Sequence, residues 1–157
     1  MVTPIVRRAT LDDVDDLVLL RVALLREMGA LAEADDAPLA EAIRRYLVAD
    51  LLVGRFIAWV GTDGEGTVIA CGGLVFLQKP PSPSNHSGRE AYIMNMYTAP
   101  VWRGRGLATR LFEALMGDVR EVGARLVRLH ETEDGRALYE RSGFRLVGNE
   151  MALRLPG

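Results

Sequence analysis

Apolar residues recur at helical spacing early in the chain and at strand spacing further on. A short apolar run at 5–9 predicts a strand, and Thr10 with Asp13 three residues later resembles a capping box at a helix start. Leucines at i, i+3 and i+4 spacing predict that this helix extends to about Met28. A second helix, with a proline in its first turn, is predicted for 38–52.

Two apolar, β-branched and aromatic runs flank the polar segment 62–66 (TDGEG) and predict a β-hairpin. Gly72 and Gly73 in the second run predict a bulge or a close approach by another backbone. The proline- and serine-rich segment 78–90 predicts a long loop. The following apolar run, 91–98, predicts another strand.

The remainder of the chain alternates between the two periodicities. Apolar residues at four-residue spacing predict a helix over 107–123, and a strand is predicted for 124–130. A short helix follows at 132–143. Two final short strands are predicted for 144–148 and 150–155.

This order combines hairpins with one β-α-β crossover. We therefore expect a single α/β domain over residues 1–157, with a mixed, twisted sheet and helices on both faces. The net charge is −2, whereas nucleic-acid-binding proteins are more often basic, so we expect no nucleic-acid partner. No apolar run reaches the length of a membrane span, and the first residues lack a signal-peptide core. The single cysteine, Cys71, permits no internal disulfide, and we expect a cytoplasmic protein without a membrane partner.

A turn rich in glycine and arginine, residues 103–106, precedes the long helix. The N–H groups at a helix N-terminus are unpaired and lie at the positive end of its dipole. Glycine lets an anion approach the backbone, and arginine adds forked donors. A phosphate or diphosphate site is one interpretation. A solvated turn and an arginine-glycine RNA-binding motif are alternatives, although the acidic balance argues against RNA.

Two segments resemble the GCN5-related N-acetyltransferase (GNAT) family. Residues 98–108 (TAPVWRGRGLA) are similar to its acetyl-CoA signature, whose core Arg/Gln-x-x-Gly-x-Gly/Ala falls on Arg103, Gly106 and Ala108. Residues 138–144 (LYERSGF) are similar to the family's Leu-Tyr-x-x-x-Gly-Phe segment. The element order also matches the family over nearly the whole chain. The resemblance implies a mostly antiparallel central sheet whose fourth and fifth strands are parallel and splay apart.

The resemblance implies N-acetyl transfer from acetyl-CoA, the acyl-donor substrate, to a primary amine. In the family, the diphosphate lies on the N–H groups of the signature turn, here 103–109, and the pantetheine arm pairs with the end of the preceding strand. The implied donor-binding residues are Met96, Tyr97, Thr98, Arg103, Gly104, Arg105, Gly106, Leu107, Ala108 and Thr109.

Tyr139 matches the tyrosine that family members often use as general acid. A phenol with an ordinary pKa near ~10 is protonated at neutral pH and can donate to the departing thiolate. The alternative is that Tyr139 only packs beside Phe144. Thr132 stands where many members carry asparagine, and it either replaces that side chain in part or caps the helix.

The general base is not evident from the sequence. The candidates on the acceptor side are Glu27, Asn95 through a water molecule, His130 and Glu131. Each also has a simpler interpretation as a solvated or structural residue. Cys71 is interpreted as a small core residue, and no Cys/His spacing indicates a metal site.

The acceptor is the least determined part of the function. An acidic connector that contains Glu33, Asp35 and Asp36 would favour a cationic amine, or it is simply solvated. Dimers are common in the family, so a homodimer is expected, although no residue in the sequence supports it. The alternative to an enzyme is an inactive acyl-CoA-binding sensor of the same fold.

Overall fold

Helices and strands follow one another much as the periodicities predict. The structure is a computed structural model that describes residues 2–32 and 36–157. In chain order its elements are β1 (Ile5–Arg8), α1 (Val14–Glu27), α2 (Asp36–Leu52), β2 (Phe56–Thr62), β3 (Val68–Gln78), β4 (Arg89–Thr98), α3 (Leu107–Val122), β5 (Leu126–Leu129) and α4 (Arg136–Arg141). No helix in these residues is long and apolar enough to cross a membrane.

The starts of the first two helices reflect their local chemistry. Thr10 accepts a hydrogen bond from the Asp12 N–H, and the Asp13 carboxylate accepts one from the Thr10 N–H, which is the predicted capping box. A single 3-10 turn separates this cap from α1. Helix α2 begins at Asp36, two residues before the predicted start at Pro38. Proline is tolerated in this first turn because the N–H that it lacks would have no acceptor within the helix.

The sheet has the strand order β1-β2-β3-β4-β5. The first three pairings are antiparallel, and β4 and β5 are parallel because α3 crosses over between them. Helices α1 and α2 pack on one face, where Leu17 and Phe56 are buried. Helices α3 and α4 pack on the other face, where Leu74 and Leu115 are buried. The predicted mixed sheet with helices on both faces is therefore confirmed.

A β-bulge interrupts the pairing of β3 with β4. Cys71 pairs with Tyr97 and Gly73 pairs with Met94, so Asn95 and Met96 of β4 together face one residue of β3. The sequence placed the irregularity correctly, but the extra residue lies on β4. Asn95 has a φ of 60°, in the left-handed region that asparagine tolerates better than most residues. A bulge of this kind bends its strand and increases the local twist.

The bend coincides with the end of the β4–β5 ladder. The last paired residues are Ile93 and Leu129. Among the described residues, no strand consequently neighbours residues 94–98 of β4 on that side. The predicted separation of the parallel pair thus begins at the bulge.

Cys71 lies beneath the bulge and is fully buried. Burial raises the pKa of its thiol to about 12, so the thiolate that a nucleophile requires does not form at neutral pH. This agrees with the interpretation of Cys71 as a core residue.

Two expectations for the later part of the chain are wrong. The long loop is shorter than predicted because β4 begins at Arg89, and Glu90 is buried in an ion pair with Arg128. The two final strands are absent, and residues 145–157 are exposed without secondary structure. A strand requires a partner for its backbone hydrogen bonds, and no other strand of the described chain lies beside this segment.

The packing of β3 against β2 predicts the effect of Gly73→Ala. The new Cβ would overlap with Cζ of the buried Phe56 ring, so we expect a loss of about 1–3 kcal/mol in the free energy of unfolding. The control is Gly117→Ala in α3, where a Cβ meets no atom within 4 Å and removal of a helical glycine gains up to about 1 kcal/mol. Urea unfolding followed by circular dichroism measures both. Equal stability of the two variants would contradict the contact with Phe56.

Candidate functional site

A cavity of about 800 Å³ opens where β4 and β5 separate, and we call it the main cavity. Its wall combines the end of α1, the end of β4, the turn before α3, the segment after β5, and α4. This is the edge at which parallel strands of an open sheet present their carboxyl ends, a common place for ligands. Nine of the ten donor-binding residues implied by the resemblance line it, together with Tyr139, Glu27 and Glu131.

The N-terminus of α3 supplies the backbone donors of this wall. The first hydrogen bond of the helix runs from the Arg110 N–H to the Gly106 oxygen, at 3.1 Å. In residues 2–32 and 36–157, no protein acceptor receives a hydrogen bond from the N–H groups of residues 104–109. The Arg103 N–H, which was expected to join them, instead donates to the Pro100 oxygen. The unpaired donors and the helix dipole together favour a phosphate or diphosphate group.

Gly106 shapes this turn. Its φ is 78°, a conformation that glycine adopts without steric cost. Gly106 lines the main cavity, and a Cβ built on it would meet no protein atom within 4 Å. The turn can therefore admit an anion close to the backbone.

The Arg103 side chain joins three parts of the cavity mouth. Its Nε donates to the Thr98 oxygen at 2.9 Å, and its Nη2 donates to both carboxylate oxygens of Glu27, at 2.7 and 3.0 Å. The guanidinium also lies 5.4 Å from the centre of the Tyr97 ring. Hydrogen bonding to Arg103 lowers the pKa of Glu27. This carboxylate is therefore charged and engaged at neutral pH, which disfavours it as a general base.

Tyr139 lies on α4 in the wall of the main cavity and is only 6% exposed. Its ring packs against Phe112 and Phe144, with centroids 5.9 and 6.1 Å apart. Burial raises the pKa of its phenol, so the hydroxyl remains protonated well above neutral pH. The ring of Tyr139 therefore packs beside Phe144 and also borders the main cavity, which a proton donor to a ligand there would require.

The other predicted residues divide between the main cavity and its surroundings. Glu131 lines the cavity and pairs with Arg136 at 3.3 Å. His130 is exposed, outside the wall, with its ring 5.5 Å from that of Tyr92. Asn95 is buried and faces a different cavity.

The Arg105 side chain also lies outside the wall, although its backbone belongs to the turn. Its guanidinium lies 4.7 Å from the centre of the Trp102 ring. Thr132 lines the main cavity, and its hydroxyl accepts a hydrogen bond from the Gly135 N–H at 3.2 Å. Thr132 therefore closes the turn before α4, whereas the N-cap of α4 is Gly135, without a side-chain cap hydrogen bond.

The acidic connector is only partly described. Glu33 and Asp35 lie outside the described residues, and Asp36 forms an ion pair with Arg26. Within residues 2–32 and 36–157, no group of three or more His, Cys, Asp or Glu side chains is arranged to hold a metal ion.

Sequence reasoning missed part of the wall. The periodicity places Leu24 and Met28 on one apolar face of the first helix, and both line the main cavity. Periodicity identifies an apolar face without showing whether a sheet or a ligand covers it. Asp134 also lies in the wall, 3.9 Å from Nη1 of Arg103.

Comparisons with known proteins agree with this geometry. Residues 24–144 match the sequence model of the acetyltransferase (GNAT) family. A predicted acetyltransferase from Clostridium acetobutylicum, crystallised with acetyl-CoA, is 28% identical, with a TM-score of 0.88 over 97% of this chain and 96% of that one. A GCN5-related N-acetyltransferase from Ralstonia eutropha is 30% identical, with a TM-score of 0.89 over 99% and 100%. No protein among curated sequences matches the chain.

Gly106 lines the main cavity at the turn that the resemblance assigns to the diphosphate, so we predict that Gly106→Val weakens the binding of coenzyme A by about tenfold or more. Gly123→Val is the matched control, since Gly123 ends the same helix with the same φ of 78° and no neighbouring atom within 4 Å. Backbone strain is expected to lower the stability of both variants by about 1–3 kcal/mol. Calorimetric titration should separate them, and equal affinity would contradict the placement of the diphosphate.

Proposed function

Because the chain belongs to the GNAT acetyltransferase family, we propose that it transfers the acetyl group of acetyl-CoA to a primary amine, with Tyr139 as general acid. One observation carries the proposal. The unpaired N–H groups of residues 104–109 and the Tyr139 ring border the same cavity, at the separation of β4 and β5. An anion site and a proton donor thus lie on one groove.

Each part of the donor has a matching surface. The N–H groups at the start of α3 suit the diphosphate. The edge of β4 at residues 96–98 has lost its neighbour β5, so its backbone can pair with the amide groups of the pantetheine arm as an added strand would. The acetyl-CoA present in the similar protein from Clostridium acetobutylicum supports this donor.

The reaction requires one bond to form and one to break. The neutral amine nitrogen attacks the thioester carbonyl carbon, the C–N bond forms and the C–S bond breaks. The sulfur takes the Tyr139 proton, and the phenolate regains a proton from solvent or from the acetylated nitrogen. Since burial raises the pKa of Tyr139, the proton is present at neutral pH. Of the candidate bases, Glu27 and Glu131 both line the cavity, where Glu27 is held by Arg103 and Glu131 pairs with Arg136.

Tyr139→Phe is expected to lower kcat by about 10- to 1000-fold, because it removes the proton donor and keeps the ring. The affinity for acetyl-CoA should stay similar, since the hydroxyl is assigned no contact with the donor's diphosphate. Tyr92→Phe is the control, because Tyr92 lies on β4 outside the wall of the main cavity. Steady-state kinetics with a reagent that detects free thiol measures both variants. Full activity of Tyr139→Phe would show that another group donates the proton.

The pH profile provides an independent prediction for the wild type. A group whose pKa is raised keeps its proton to higher pH. We therefore expect kcat/KM to rise with pH as the amine is deprotonated, and to show no decline at any pH lower than about 10. A descending limb between pH 7 and 9 that disappears in Tyr139→Phe would contradict the raised pKa of Tyr139.

The experiment that tests the function is titration with acetyl-CoA followed by thiol release with a panel of amines. The buried Cys71 does not interfere, because its thiol pKa is about 12. Binding together with amine-dependent release is expected. Binding without release against any amine would favour the inactive sensor, and the absence of binding would overturn both.

A further inference from the structure

A second cavity of about 380 Å³ lies between α1, α2 and the bulge of β4. Apolar and aromatic residues form most of its wall, namely Ala42, Ile43, Tyr46, Leu47, Phe56 and Met94. Its polar residues are Arg21 and Asn95. The second cavity is therefore an apolar space with one fixed positive charge.

Arg21 lacks the partner that a half-buried guanidinium normally has. Its Nη1 lies 3.4 Å from Oδ1 of Asn95, and no carboxylate of residues 2–32 and 36–157 lies within 4.0 Å. Arg44 is also half-buried, but it forms an ion pair with Asp15. Since partly desolvated charge is costly without a partner, the fork of Arg21 is suited to a carboxylate supplied by a ligand.

The second cavity lies beside the main cavity. Leu24, one turn after Arg21 on α1, lines the main cavity, and so does Met96, the residue after Asn95. The bulge of β4 therefore borders both spaces. A molecule in the second cavity lies next to the end of the groove assigned to the pantetheine arm.

We propose that the second cavity binds the acceptor and that the acceptor is an amine that bears a carboxylate and an apolar side chain, as apolar amino acids do. This rests on the proposed function. Arg21 binds the carboxylate, and the apolar wall takes the side chain. The positive charge of Arg21 disfavours polyamines and other polycations in this space. Asp36, one of the three acidic residues that would favour a cationic amine, is already paired with Arg26.

The test compares L-phenylalanine with 2-phenylethylamine, which differ by one carboxylate, in calorimetric titrations with coenzyme A present. The wild type is expected to bind phenylalanine at least about tenfold more tightly. Arg21→Gln should remove this difference, whereas Arg44→Gln, the matched control, should keep it. Affinity for coenzyme A reports that both variants are folded.

Each outcome is decisive for the proposal. Equal binding of the two compounds by the wild type, no binding of phenylalanine, or a preserved preference in Arg21→Gln would overturn it. Carboxylate-dependent binding without thiol release would support this proposal and overturn acetyl transfer. Thiol release only with amines that lack a carboxylate would overturn this proposal and leave acetyl transfer intact.

Discussion

The bulge at Asn95 and Met96 is the constraint on which the rest of the site depends. One extra residue in β4 bends the strand at the point where its pairing with β5 stops, at Ile93. The space that follows is the main cavity, and the free edge of β4 forms one of its walls. Asn95 has a positive φ, which the surrounding structure must hold in place. Its buried side chain contributes to this by accepting a hydrogen bond from Arg21.

The two sides of the bulge differ in charge. On the side of the main cavity, unpaired N–H groups and the α3 dipole present positive potential to an anion, while Arg103 is held by Glu27. On the side of the second cavity, Arg21 has no carboxylate partner among the described residues. The difference follows from geometry, because the carboxylate of Glu27 reaches Arg103 across the mouth of the main cavity. The bulge thus borders two cavities, one lined by Arg103 with its carboxylate partner and the other by Arg21, which pairs with no carboxylate of the described residues.

Much of the fold could be predicted because its signals are local. The capping box at Thr10, the hairpin around residues 62–66 and the apolar stripe of α3 each act within a few residues, and all three are present. The prediction of two final strands was wrong because a strand does not depend on local signals alone. Alternation at 150–155 describes which side chains share a face, but a strand also needs a neighbour, and the described chain does not provide one.

The sequence by itself determined the turn that opens α3, the place of Tyr139 in its segment and the irregularity near Gly72. These depend on backbone conformation and on residues close together in the chain. Only the tertiary structure decided that Glu27 is held by Arg103, 76 residues away, and that Leu24 lines a cavity. It also decided that Asn95 faces a second space beside Arg21. Such contacts depend on the path of the whole chain, and no local spacing encodes which distant residues it brings together.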